Sequence, residues 1–212
     1  TATTEIYTLF PTRRSSDLQG VNVLGTDVED IDRAEDRKKF SEVLDGLGIR
    51  QPPWKQLGSI GKAKEFAREI GYPVLVRPSY VLSGSAMNVA FDDRQLEQSL
   101  RLAVEVSKDQ PVVVTKFMTS AKEVDIDGVC DGKNVFIGSI IEHIENAGRH
   151  SGDATMSIPP LTLDGATKKV LRDYTRRIAT ELRIRGPFNI QYMVKNGVVY
   201  VIETNLRASR SM

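Results

Sequence analysis

The sequence predicts an α+β fold of two lobes that meet at a cleft, and three observations predict it. Segments of helical period and short apolar strand-like runs follow one another from Asp32 to Phe117. A second set, with longer strand patterns around one helix, runs from Glu123 to Glu203. The last of these strands forms a hairpin rich in amide and carboxylate side chains, as expected of a site facing a cleft.

Each element has a local reason. Asp32 followed by Glu35 has the spacing of a capping box, and Phe40, Val43, Leu44 and Leu47 then recur at helical spacing until Gly48. Pro52-Pro53 reads as a linker. A helix from Ser59 carries Ala63, Phe66, Ala67 and Ile70 on one face and stops at Gly71 and Pro73. Val74-Leu75-Val76 is a buried strand, Ser83-Gly84-Ser85 a turn, and Met87 to Phe91 a strand. Asp92 or Asp93 caps a helix with Leu96, Leu100, Ala103 and Val104, followed by strand Val112–Phe117. Strands Glu123–Cys130 and Val135–Ile144 flank an Asp131-Gly132 turn, and a polar loop spans Glu145 to Thr155. A helix from about Asp164 to Leu182 buries Val170, Leu171, Tyr174 and Ile178, and strands Phe188–Val194 and Val198–Glu203 close the second lobe.

Composition narrows the class. The chain has 212 residues, 29 Lys+Arg against 28 Asp+Glu for a net charge of +1, and is 40% hydrophobic and 27% charged. That is the make-up of a globular chain, and a near-neutral balance argues against nucleic acid as the main ligand. No run approaches the roughly 18–20 apolar residues that a membrane span needs. The lone Cys130 excludes a disulfide framework or cysteine-based zinc site and fits a reducing cytoplasm. Residues 1–18 lack both a helical and an alternating period and are expected to be a non-native or disordered leader. The stop at Met212, just after a polar cluster, reads as a C-terminal truncation.

The final hairpin carries the most chemistry. Phe188, Ile190, Tyr192 and Val194 share one strand face, and Asn189, Gln191 and Met193 the other. A two-residue turn at Asn196-Gly197 would put Glu203 among the apolar side chains, where a carboxylate is costly to bury. A three-residue loop, Lys195-Asn196-Gly197, moves it to the Asn189/Gln191 face, so the odd-length loop is expected. Gln191, Glu203 and Asn205 then converge as hard oxygen donors suited to Mg²⁺ beside phosphates. A solvated strand end with surface ion pairs fits the hairpin alone equally well.

Other candidates follow from position. Arg77 ends a buried strand, where it can reach phosphate or form a rim salt bridge. Arg207 and Arg210 lie just past the hairpin and can neutralise phosphate oxygens bidentately. Ser83-Gly84-Ser85 can offer backbone N–H groups. Glu123 can accept hydrogen bonds from ribose hydroxyls, whereas Asp125 and Asp127 read as a wet strand face. His150 and Ser151 sit in a glycine-flanked loop; His143 is expected to pack on its strand. Cys130 has no neighbour that marks it as a nucleophile. No Ser/His/Asp triad or Walker-type phosphate loop is present, so positioning and charge neutralisation, as in phosphoryl transfer, are the expected chemistry.

From Gln19 onward the sequence resembles the large chain of carbamoyl-phosphate synthetase, at the ATP-grasp domain of its second, carbamate-phosphorylating half. The strings are GTDVEDIDRAEDRKKF, EIGYPVLVRPSYVLSGSAMNV, KEVDIDGVCDG, IEHIENAGRHSGD and NIQYMVKNGVVYVIETNLRASRS, in the same order throughout. Many relatives carry Gly-Gly followed by Arg where this chain has Ser83-Gly84-Ser85. The resemblance implies an ATP-grasp fold with the nucleotide between lobes: 19–50 ends the preceding region with the first helix, 51–118 is the lid lobe, and 119–212 is an incomplete metal-binding lobe. It implies Arg77 on ATP phosphates, Ser83 and Gly84 in the covering loop, Lys116 and Met118 at adenine, and Glu123 on the ribose. Gly148, Arg149, His150 and Ser151 would line the nucleotide and substrate side. Gln191, Glu203 and Asn205 would hold Mg²⁺ or Mn²⁺, and Arg207 would stabilise the transferring phosphoryl group.

The implied reaction is ATP-dependent phosphorylation of carbamate to carbamoyl phosphate, for arginine or pyrimidine biosynthesis. The implied partners are ATP, carbamate, the remainder of the large chain and a glutaminase subunit or domain. Two alternatives stay open: another ATP-grasp ligase, biotin-carboxylase-like or carboxylate–amine, and a nucleotide-binding fragment without turnover.

Overall fold

Two antiparallel sheets, each with its own apolar core, organise the chain. The computed structural model describes residues 24–78, 87–106, 112–147 and 154–209. Helices α1 (Val28–Glu35) and α2 (Arg37–Gly46) lead into β1 (Trp54–Leu57), α3 (Ile60–Ile70), β2 (Val74–Pro78), β3 (Asn88–Ala90), α4 (Asp93–Val106) and β4 (Val112–Lys116). The remainder is β5 (Lys122–Asp131), β6 (Val135–Asn146), β7 (Met156–Ser157), α5 (Gly165–Glu181), β8 (Arg185–Lys195) and β9 (Val198–Asn205). The strand orders are β1-β4-β2-β3 and β7-β6-β5-β8-β9. The expected two-lobed α+β architecture is present.

In the first lobe, Ala63, Phe66 and Ala67 of α3 and Leu96, Leu100 and Ala103 of α4 bury against Val74, Val76, Val112 and Val114. Ser59 caps α3 by accepting a hydrogen bond from Lys62 N, and Gly71, at φ 76°, releases the chain from it. In the second lobe, Leu171, Ile178 and Ala179 of α5 cover Val124, Ile126, Phe188, Ile190 and Tyr192, and Phe40, Val43 and Leu44 of α2 join this core. Asp164 caps α5 through Thr167 N at 2.7 Å.

Four expectations are corrected here. The cap of the Phe40 helix is Asp36, which accepts from Lys39 N at 2.9 Å; Asp32 lies inside the preceding helix α1, because Asp36 itself turns the chain between the two. Between Pro52-Pro53 and α3, where no element was expected, the chain forms a strand, β1. Its half-buried Trp-Lys-Gln-Leu edge has no clean alternation to betray it, and its pairing with β4 from Trp54↔Thr115 to Leu57↔Val112 decides the matter. Asp125 and Asp127 are not on a wet face: they are 1% and 0% exposed, because the polar face of the second sheet is roofed.

The fourth correction concerns the hairpin. Lys195 pairs with Val198, so the turn holds two residues, Asn196 at φ 51° and Gly197 at φ 74°, whose positive φ pair matches the strand twist. Glu203 nevertheless stands opposite Gln191, as expected, because Ile202 is an extra residue: the register runs from Tyr192↔Val201 to Gln191↔Glu203. A β-bulge thus does what the odd-length loop was expected to do.

Within the core, Tyr192 is fully buried and its hydroxyl lies 2.7 Å from Thr175 Oγ1, which itself donates to Leu171 O at 2.8 Å. Thr175→Val strands the buried phenol and is expected to cost about 1–3 kcal/mol in urea unfolding, whereas Tyr192→Phe leaves Thr175 satisfied and costs about 1 kcal/mol or less. Equal losses from the two substitutions would contradict this asymmetry.

Candidate functional site

Pairing in the second sheet assembles one polar face from three strands, β5, β8 and β9. Asp125 stands opposite Gln191 and Asp127 opposite Asn189, while Gln191 stands opposite Glu203 and Asn189 opposite Asn205. Residues directly opposed, and those two apart along a strand, share a face. Gln191, Glu203 and Asn205 therefore do gather on one side of the β8–β9 ribbon. Asn205 Nδ2 lies 3.3 Å from Glu203 Oε1 and 3.5 Å from Asn189 Oδ1.

Two arginines converge on Glu203. Arg37, from α2, donates to Glu203 Oε2 at 3.1 Å and to the carbonyl of the bulge residue Ile202 at 2.6 Å. Arg77, from β2 of the other lobe, feels both Glu203 and Arg37. Burial pushes Glu203 up, but Arg37, the Asn205 hydrogen bond and Arg77 together outweigh it and hold the carboxyl below its ordinary range. Burial, and then the neighbouring Arg37 cation, pull Arg77 down to about 9. Its Nε is buried and has no hydrogen-bond partner among the described residues. An unsatisfied guanidinium N–H at the junction of the lobes is the feature an anionic ligand would answer.

The other candidates are placed as follows. Arg207 is exposed and donates to Ala208 O at 3.1 Å. Lys116 Nζ is spent on Gly71 O at 2.7 Å and Tyr72 O at 2.9 Å; desolvation, then Lys195, lower it. Met118 is half-buried just after β4. Ser83, Gly84, Gly148, Arg149, His150, Ser151 and Arg210 lie outside the described residues.

Glu123 is 8% exposed and shares a buried cluster with Asp125 and His143, whose ligating atoms lie within 4.8 Å of one another. His143 does pack on its strand, but as a partner of Asp125: its Nε2 is 3.3 Å from Asp125 Oδ2. Burial alone would push the imidazole down. The Asp125 hydrogen bond and charge, with Glu123 and Glu145, outweigh that and raise it above its ordinary value. When protonated, the imidazole places a cation beside the two buried carboxylates.

Sequence reasoning missed Arg37 and the burial of Asp127. Arg37 is 166 residues from Glu203, and no local period marks it. The alternation Glu123, Asp125, Asp127 was visible, yet it carries no sign of what covers that face. Taken together, the amide side chains of Gln191 and Asn205 and the carboxylate of Glu203 share one face and offer the oxygen donor types that Mg²⁺ takes from few protein ligands.

A family model described as the carbamoyl-phosphate synthase L chain, ATP binding domain, matches residues 36–212. The chain belongs to this family. It is 52% identical over 193 residues to the carbamoyl phosphate synthase large chain of Sulfolobus acidocaldarius, covering 91% of this chain and 18% of that protein. It is 51% identical to the arginine-specific mitochondrial large chain of Neurospora crassa, covering 89% of this chain and 17% of that one. The chain thus spans under a fifth of the length of these carbamoyl phosphate synthase relatives. Biotin carboxylase from Campylobacter jejuni superposes with a TM-score of 0.82 at 20% identity, covering 95% of this chain and 46% of that one. D-alanyl-alanine synthetase A from Vibrio cholerae gives 0.80 at 18% identity, covering 92% and 62%. The fold is ATP-grasp, and part of the full domain is present.

The raised His143 sets a pH dependence. Its folded value exceeds the ordinary 6.5, so its stabilising contribution is complete below 6.5 and is lost as pH rises through the folded value. Urea unfolding across pH 5–9 should show stability falling with rising pH in that window, and His143→Gln should flatten the slope; identical slopes would refute the assignment.

Proposed function

We propose that this chain is the nucleotide- and metal-binding core of the ATP-grasp domain that phosphorylates carbamate in a carbamoyl phosphate synthase large chain, giving carbamoyl phosphate and ADP. The single observation that supports it most is the convergence of Gln191, Glu203 and Asn205 under two arginines from separate elements. In this reading 51–118 is the lid lobe, 119–212 the metal-binding lobe, and 19–50 the end of the preceding region. A 2-oxoglutarate carboxylase biotin carboxylase domain solved with MgADP shares the fold at a TM-score of 0.80, which favours Mg²⁺ as the cation.

Gln191, Glu203 and Asn205 would hold Mg²⁺ or Mn²⁺, which when bound neutralises phosphate charge and aligns the transferring group. Arg77 supplies its unsatisfied N–H to a phosphate oxygen at the junction of the lobes, and its position on β2 of the lid lobe ties that contact to closure. Arg37 keeps Glu203 ionised and fixed, so the carboxylate is preorganised when nucleotide enters. Glu123 accepts from the ribose, Met118 and the Lys116 backbone border the adenine, and Ser83, Gly84 and Gly148 to Ser151 cover the phosphate and substrate side. Arg207 must swing from Ala208 O to meet the transferring group. Carbamate decomposes in water, so the lid lobe excludes solvent while its oxygen attacks the γ-phosphoryl. The remainder of the large chain and a glutaminase partner supply the carbamate and its nitrogen.

Glu203→Gln in the full-length large chain tests the reading. ATP formation from ADP and carbamoyl phosphate should fall by about 10²-fold or more, while bicarbonate-dependent ATP hydrolysis persists. Loss of the bicarbonate-dependent hydrolysis instead would move this domain to the other half of the enzyme, and retention of both activities would defeat the site.

A further inference from the structure

Asp127 is fully buried on the polar sheet face, yet it is neither a cation ligand nor an ion-pair partner among the described residues. Three donors converge on it: Ser209 N at 3.0 Å and Asn189 Nδ2 at 3.3 Å reach Oδ1, and Ser209 Oγ at 2.7 Å reaches Oδ2. We propose that Asp127 is a positioning residue that decides which atom of Asn205 faces the cation. The inference rests on the metal site proposed above.

Hydrogen-bond polarity sets the order of the row. A carboxylate accepts and an amide is two-ended, with a carbonyl acceptor at one side and an NH₂ donor at the other. Asp127 therefore fixes the Asn189 amide with its NH₂ toward β5, and the Asn189 oxygen must then face β9. There it accepts from Asn205 Nδ2 at 3.5 Å, while the same nitrogen reaches Glu203 Oε1 at 3.3 Å. Both N–H groups of Asn205 are thereby used, and Oδ1 is the atom left for the cation. Had the order been reversed, Asn205 would turn NH₂ toward Mg²⁺, and an N–H donor cannot ligate a cation. The three cross-strand pairings Asp127↔Asn189, Asn189↔Asn205 and Gln191↔Glu203 bring this row of side chains together, so each amide orientation depends on its neighbour.

The near-isosteric Asp127→Asn removes the acceptor-only terminus and lets the row reverse. Mn²⁺ binding to the 212-residue chain, read by the electron paramagnetic resonance of free Mn²⁺ with and without ADP, should weaken by about tenfold or more. The swapped pair Asp127→Asn with Asn189→Asp restores an acceptor-only group facing Asn205 and should recover most of the affinity. Ser209→Ala keeps the acceptor and should leave Mn²⁺ binding unchanged. Unaltered binding in Asp127→Asn, or a swapped pair that folds and stays weak, overturns the inference alone. A wild-type chain that binds no Mn²⁺ overturns the metal site and the inference together. Should Asp127→Asn fail to fold, the swapped pair decides by itself.

Discussion

Glu203 can face Gln191 only because Ile202 is extra, and a bulge leaves backbone groups without ladder partners. Arg37 answers that need from outside the sheet: one end of its guanidinium takes the Ile202 carbonyl and the other takes Glu203 Oε2. Geometry and charge are thus settled by one side chain. Without it the bulge has an unmet carbonyl, and the carboxylate, already penalised by burial, has less to keep it ionised. The helix that carries Arg37 is held by Phe40, Val43 and Leu44, which join the same core as α5 and the sheet. Core packing of α2 therefore reaches the donor set directly, which gives a physical reason for the segment before Gln51 to travel with the second lobe.

Charge balance explains the polar face as a whole. Glu123, Asp125, Asp127 and Glu203 would repel one another if each were buried alone. Each instead meets its own compensation: His143 beside Asp125 and Glu123, three donors on Asp127, two arginines on Glu203. Asp125 Oδ1 is the exception, buried with no partner among the described residues. The unsatisfied atoms at Asp125 on this face and at Arg77 on the other sheet are places where binding has most to gain.

How much of this was legible in the sequence depends on the range of the interaction. The two lobes, the helix starts at Ser59 and Asp164 and the apolar face of α3 follow from local period and punctuation and are where expected, as is that of α5 apart from Val170, which is exposed. The placement of Glu203 was reachable because burying a carboxylate among Phe188, Ile190 and Tyr192 is too costly; the device was not, since an Asn-Gly turn and a distant bulge give the same parity as an odd-length loop. Asp127 and Arg37 were illegible for the opposite reason. Their partners lie 82 and 165–166 residues away, and alternation alone cannot say whether a polar face is roofed.

The two lobes meet through groups that are costly to leave as they are. Lys116, which donates to Gly71 O and Tyr72 O in its own lobe, feels Lys195 of the other, and Arg77, its Nε buried without a partner among the described residues, feels Glu203 there. In the proposed reading, a polyanion that enters between the sheets with its cation would relieve Arg77 and engage Glu203 at the same time. Because the same ligand satisfies a group from each lobe, its binding free energy is largest when both are in place, so affinity and closure are coupled without any separate latch. Arg37 then acquires a second role: by holding Glu203 before ligand arrives, it limits how far the carboxylate can follow Arg77, so that charge from the ligand, and not Glu203 itself, completes the Arg77 guanidinium.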